Sequence, residues 1–169
     1  MLRFIFMFNF CCLKAIFFYL YLSLNKSIMT VDQILSTKGK KVYSILSTNT
    51  VYEALTVMSE KNIGAILIIE DAILKGILSE RDYARKIVLK AKSSKKAFVH
   101  EIMETDIVTV KPSDNLEYCM ELMNTKRVRH LPVLDNDVVI GIISISDVVK
   151  AIIEIQKNTI QYLNSYITQ

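Results

Sequence analysis

The sequence predicts an α/β (α+β) fold: two βαββα repeats packed sheet to sheet about a pseudo-twofold axis, followed by an extended C-terminal helix. Three observations carry this expectation. Shifting the chain by 65 residues lays 42–87 over 107–152 without a gap. Each half then shows the same order of apolar run, acidic turn and apolar run, which reads as strand, turn, strand. From Ser144 to Ile167 neither Gly nor Pro interrupts a helical spacing of apolar residues.

The shift superposes Met58 on Met123, Lys61 on Lys126, Gly76 on Gly141, Ser79 on Ser144, Asp82 on Asp147 and Ile87 on Ile152. Val42–Ile45 and Ile107–Val110 are predicted as short opening strands. Val51, Leu55 and Met58, and again Leu116, Met120 and Met123, recur at helical spacing. Thr50-x-x-Glu53 and Asp114-x-x-Glu117 read as capping boxes for those helices. Strands follow over Ala65–Ile69 and Leu131–Leu134, then Ile73–Leu78 and Val138–Ile143, and Ser79 and Ser144 open the closing helices. A unit of about 45 residues cannot cover both faces of its own small sheet. Two units packed together leave a cleft near strand ends and helix N-termini, a geometry that suits an anion carrying a ring.

Four segments result: a hydrophobic extension over 1–28, a first repeat over 29–91, a linker over 92–97, and a second repeat with its long helix over 98–169. Residues 1–24 hold six of the seven Phe, with Arg3 and Lys14 as their only charges. Their longest apolar stretch, Ala15 to Leu22, is short of the ~20 residues that cross a bilayer. A membrane anchor would hold Lys14 mid-span at about 2.5–3.5 kcal/mol, and a signal peptide lacks an A-x-A cleavage site. Three readings stay open: an extension outside the working protein, an anchor, or a signal, with Met29 as a candidate start. Lys90–Lys96 (KAKSSKK) reads as a solvated basic stretch between the repeats.

Composition excludes several classes. The glycines, at 39, 64, 76 and 141, allow neither a P-loop nor a dinucleotide fingerprint. Three cysteines exclude a disulfide framework and a four-thiolate zinc site. The net charge of +4 arises mostly before Met29: without Arg3, Lys14 and Lys26 the remainder holds 18 basic against 17 acidic residues. A near-neutral body gives no reason to expect nucleic acid as partner.

The sharpest signal is Gly76-Ile77-Leu78-Ser79-Glu80-Arg81-Asp82 with its counterpart Gly141-Ile142-Ile143-Ser144-Ile145-Ser146-Asp147. Each is a strand end, a Ser at an N-cap and an Asp at the third helical position. The plain reading is a capping box with Asp in place of Glu. The functional reading has the carboxylate accepting hydrogen bonds from a ribose diol, while hydroxyl and backbone amides face phosphate.

These two motifs resemble the closing motif of the cystathionine β-synthase (CBS) domain, and the order of elements in both repeats matches it. Ile63-Gly64-Ala65 and Arg127-Val128-Arg129-His130-Leu131-Pro132-Val133 add to the likeness, which covers residues ~30–167 and is similar to stand-alone bacterial proteins with two CBS domains, a Bateman module. The resemblance implies binding rather than catalysis, with an adenosine-containing ligand (AMP, ADP, ATP, NAD or S-adenosylmethionine) between the repeats. It implies Asp82 and Asp147 as ribose ligands, Ser79 and Ser144 as their hydroxyl neighbours, Ser44 and Thr109 as base contacts, and Arg127, Arg129 and His130 as a basic turn. The first repeat has Asn62, Gly64 and Ala65 where the second has those three potential cationic donors, so one strong phosphate site and one weak or empty one are expected. Solvated surface arginines and a strand-start histidine are the plain alternative. Arg81 and Arg85, one turn apart, read as a solvent-facing stripe or as further phosphate contacts.

Beyond the second repeat, Val149, Ile153, Gln156, Ile160, Leu163 and Ile167 fall at spacings of four and three, a seam broken by one Gln. It predicts a helix that clasps the first repeat or pairs two copies, and a homodimer is expected. The leading expectation is a cytoplasmic, non-enzymatic adenine-nucleotide sensor read by an unknown regulated protein. A membrane-tethered regulator requires retention of residues 1–24, and an enzyme finds no nucleophile elbow or metal-ligand spacing.

Overall fold

The computed structural model describes residues 29–167. The extension, anchor and signal readings of residues 1–28 lie outside them. In chain order the elements are α1 (Val31–Lys38), β1 (Ser44–Ile45), α2 (Val51–Lys61), β2 (Ala65–Glu70), β3 (Ile73–Ser79), α3 (Glu80–Lys86), α4 (Leu116–Thr125), β4 (His130–Asp135), β5 (Val138–Ser144) and α5 (Ile145–Ile167), with 3-10 turns at Val88–Lys90 and Val99–Glu101. One sheet runs β1-β2-β3, with β1 parallel to β2 and β3 antiparallel to it. The other pairs β4 with β5 antiparallel.

The duplication extends to backbone detail. Both hairpins turn through two left-handed residues, Asp71 and Ala72 in one and Asn136 and Asp137 in the other, the twist a two-residue connection requires. Both sheets shift register at the same place, between Ile68 and Ile69 and between Val133 and Leu134. The two sheets meet across the pseudo-twofold through β3 and β5.

Two expectations need correction. Ile107–Val110 forms no strand; it contributes a single parallel bridge, Val110 to Val133. In the first repeat the Leu67 amide donates to the Tyr43 carbonyl at 3.3 Å. The residue matching Leu67 is Pro132, which has no N–H to give, so the ladder stops there. Asp114-x-x-Glu117 is not the cap of α4 either. Asn115 is the N-cap, accepting from the Tyr118 amide at 2.8 Å, while Asp114 closes the preceding turn by accepting from the Lys111 amide at 2.8 Å. Thr50 does cap α2, with Glu53 Oε2 2.7 Å from its amide.

The two hydrophobic cores do not follow chain order. Val31, Ile34 and Leu35 of α1 are buried with Leu131, Val133 and Ile143 of the second repeat. Conversely Ala97, Val99 and Ile102 are buried with Ile66, Ile68 and Leu78 of the first. Matching backbone bonds fix the exchange: Val31 N–H to Asp114 O (2.9 Å) and Leu116 N–H to Met29 O (3.1 Å) on one side, Val99 N–H to Asn49 O and Val51 N–H to Ala97 O (both 2.9 Å) on the other. The leader of each repeat is thus a wall of the other repeat's core. The glycines opposite the leaders allow this close approach. A Cβ at Gly141 would lie 2.7 Å from Leu35 Cδ2, and one at Gly76 would lie 2.7 Å from Met103 Sδ.

Helix α5 buries Val148 and Ala151 in the second core, with Ile152 and Ile155 partly covered. The predicted seam faces away from it: Val149, Ile153, Ile160 and Leu163 are exposed.

Candidate functional site

Each closing helix begins where the last strand of its repeat ends, so the Ser–Asp pairs sit at equivalent strand-to-helix junctions. In the first, Asp82 Oδ2 accepts from the Ser79 amide (3.1 Å) and hydroxyl (2.5 Å), and Ser79 Oγ lies 3.3 Å from the Asp82 amide. In the second, Asp147 Oδ2 accepts from the Ser144 amide (2.8 Å) and hydroxyl (2.7 Å), and Ser144 Oγ lies 3.3 Å from the Asp147 amide. Both are capping boxes in fact, and each uses one carboxylate oxygen for the cap.

The junctions differ in what else they engage. Asp82 Oδ1 lies 3.4 Å from Lys86 Nζ, one turn along α3, and that ammonium also donates to Ile102 O at 2.8 Å and lies 3.7 Å from Glu104 Oε2. At the second junction the cation arrives from the other end of the chain. Lys38, at the end of α1, places Nζ 2.5 Å from Asp147 Oδ2 and 3.1 Å from Ile142 O. Burial pushes the Asp147 carboxyl upward, but hydrogen bonds from Lys38 and Ser144 and the lysine charge outweigh it and hold the group below the usual aspartate range. Among the described residues Asp147 Oδ1 has no hydrogen bond.

His130 begins β4 at the pseudo-twofold, opposite Gly64, where a Cβ would stand 3.8 Å from its imidazole. Burial lowers its pKa, the charges of Lys38 and Arg129 lower it further, and Asp147 opposes them. The net effect favours the neutral ring at pH 7. Cys119 is buried in the second core with its thiol pushed up to about 11 mainly by desolvation, which makes it a packing residue and not a nucleophile.

The structure does not gather all of the expected residues. Ser79 with Asp82, and Ser144 with Asp147 and His130, form the two junctions. Ser44 is exposed on β1 beside Leu67, and Thr109 precedes the Val110 bridge; neither side chain makes a hydrogen bond among the described residues. Arg127 and Arg129 instead line a groove of about 660 Å³ between α4 and α5, with Met120, Met123, Val128, Ile145 and Val149. Arg81 also lines it and reaches across the repeats to Arg127 O at 3.4 Å. A matching groove of about 590 Å³ lies over the first repeat against Leu55, Met58, Ile63 and Tyr83. Neither groove is lined by the Ser–Asp junctions, and the larger one mixes five apolar side chains with Arg81, Arg127, Arg129, Glu117, Glu121 and Asn124.

Lys38 and Lys86 were not among the expected site residues. Lys86 stands four residues after Asp82, a spacing legible on a helix; nothing in the local sequence ties Lys38 to Asp147. Among the described residues no group of three or more His, Cys, Asp and Glu side chains is placed to hold a metal ion, and no helix is long and apolar enough to cross a membrane.

Comparison with known proteins accords with this geometry. The CBS domain model matches residues 31–89 and 99–154. The CBS domain-containing protein CBSX3, mitochondrial, of Arabidopsis thaliana is 37% identical over 147 residues, spanning 82% of this chain and 71% of that protein. A solved CBS-domain structure from Burkholderia ambifaria is 46% identical with a TM-score of 0.72, covering 75% of this chain and 95% of that one. A CBS domain pair solved in complex with 5′-methylthioadenosine and S-adenosyl-L-methionine covers 74% of this chain and 96% of its own at a TM-score of 0.66; its identity of 23% speaks for a shared fold.

Proposed function

Because this chain belongs to the CBS domain family and carries two such domains, whose pairs are regulatory ligand-binding modules, we propose that it is a non-catalytic sensor of an adenosine nucleotide of the AMP, ATP or NAD kind. The observation that carries this reading is the second junction, where Asp147 uses one oxygen for its helix cap and Oδ1 has no hydrogen bond among the described residues. A half-buried carboxylate edge of that kind accepts from the vicinal hydroxyls of a ribose. Ser144 and the start of α5 supply the hydroxyl and amides beside it, Thr109 stands for the base, and His130 flanks the approach. At the first junction Ser79 and Asp82, with Ser44, make the weaker counterpart, since Lys86 already faces the second oxygen of Asp82. Arg127 and Arg129 serve a phosphate only by turning out of the groove they line.

Calorimetry with AMP tests this. Asp147→Ala removes charge-assisted hydrogen bonds of about 1.5–3 kcal/mol, a loss of roughly ten- to a hundredfold, and Asp82→Ala costs less. Equal losses remove the asymmetry, and no loss in either variant sinks the reading.

The exposed stripe of Val149, Ile153, Ile160 and Leu163 supports a homodimer formed through α5. A ligand that favours one inter-repeat arrangement would then be read through that pairing by a partner protein.

A further inference from the structure

We propose that Lys38 is a ligand-binding residue of the second junction, donating a hydrogen bond to one hydroxyl of the diol whose neighbour Asp147 accepts. The inference rests on the nucleotide-binding reading above and assigns it a residue from the opposite end of the chain. An ammonium has three N–H donors and no acceptor. Lys38 spends one on Asp147 Oδ2 and one on Ile142 O. Its third has no partner among the described residues, and beside it Asp147 Oδ1 has none either. One unspent donor next to one unspent acceptor is the pattern that two adjacent hydroxyls complete, because each hydroxyl both donates and accepts.

The first junction lacks this pattern. Lys86 faces Ile102 O, Asp82 Oδ1 and Glu104 Oε2 together, and both oxygens of Asp82 have partners. The two halves of the duplication have therefore diverged, one toward a self-satisfied ion cluster and the other toward an open acid–ammonium pair. Lys38 is held for the role. Leu35, one turn earlier on α1, is fully buried against Gly141, and the helix ends one residue later at Gly39 with φ of 96°. Its position is thus set by packing against the same strand, β5, that carries Ser144.

The test measures binding of AMP and of its 2′-deoxy and 3′-deoxy analogues to the wild-type chain and to Lys38→Met. The expected result is a roughly tenfold loss of AMP affinity in the variant, retained with one deoxy analogue and abolished with the one lacking the hydroxyl that Lys38 contacts. Lys38→Gln, which keeps an N–H donor, recovers part of the loss. An equal loss for all three ligands overturns the assignment, because Lys38 would then act on another part of the nucleotide or through the fold. Unchanged or tighter AMP binding also overturns it and makes Lys38 a bystander or a competitor. Asp147→Ala, measured alongside, separates the two claims. If it weakens AMP while Lys38→Met does not, only the lysine assignment fails; if neither matters, the nucleotide-binding reading fails with it.

Discussion

Replacing Gly141 with alanine and Leu35 with alanine, singly and together, measures whether the leader helix α1 is clamped on the second sheet. The added Cβ at Gly141 would stand 2.7, 2.8 and 3.3 Å from Cδ2, Cδ1 and Cγ of Leu35. Ordinary carbon contacts begin about half an ångström or more beyond the shortest of these. Leu35 is 0% exposed and cannot swing into solvent, so Gly141→Ala is expected to cost about 1–3 kcal/mol through overpacking. Leu35→Ala deletes a fully buried side chain and is expected to cost about 2–5 kcal/mol, cavity included. In the double variant the methyl group added at position 141 enters the space that the Leu35 side chain vacated. The cost of adding it falls toward zero, and the double variant is more stable than the sum of the singles predicts by about 1–3 kcal/mol. Urea unfolding followed by far-ultraviolet circular dichroism supplies the three differences. Additivity within about 0.5 kcal/mol would refute the reasoning, since two residues in the described contact cannot change independently.

Two further outcomes follow from the same structure. His130 has a folded pKa below its ordinary 6.5 because of burial and the positive charges of Lys38 and Arg129, with Asp147 in opposition. The unfolded chain therefore takes up its proton first as pH falls, so the contribution of this residue is present above about pH 6.5 and is lost as pH drops through the folded value. The urea midpoint should fall between about pH 7.5 and 5.5, and His130→Gln should flatten that fall; an identical slope in the variant would exclude the histidine as its source. Ile153→Glu puts a charge on the exposed stripe of α5, and sedimentation should show it converting a dimer into monomers. An unchanged mass in the variant would place any self-association elsewhere.

Much of this architecture was legible because the duplication preserves positions with demanding local chemistry. Ser79 and Ser144 must cap, Gly76 and Gly141 must admit a close neighbour, and the Glu70–Asp71 and Asp135–Asp137 turns must reverse direction. What escaped the sequence reading was non-local. The leaders correspond at an offset of 68, not 65, as Val31 with Val99, Ile34 with Ile102 and Leu35 with Met103 show. The ungapped alignment therefore passed over them, and an eight-residue helix gives too few turns for periodicity to announce it. The cap of α4 was readable in principle, since Asn115 is the residue that matches Thr50. The end of the ladder at Pro132 was readable too, from its missing amide. Lys38 was not, because its partner lies 109 residues away and only the exchange of leaders brings them together. The placement of the arginines was likewise not legible: a left-handed Arg127 (φ 55°) and the end of α4 set Arg127 and Arg129, which the resemblance implied as a basic turn, on the groove between α4 and α5.

The swapped leaders have a practical corollary. Cutting this polypeptide anywhere between its halves would strip each fragment of hydrophobic side chains that only its sibling supplies, so neither portion is an autonomous folding piece. A single copy would leave that wall of its core uncovered unless a second molecule supplied the missing segment.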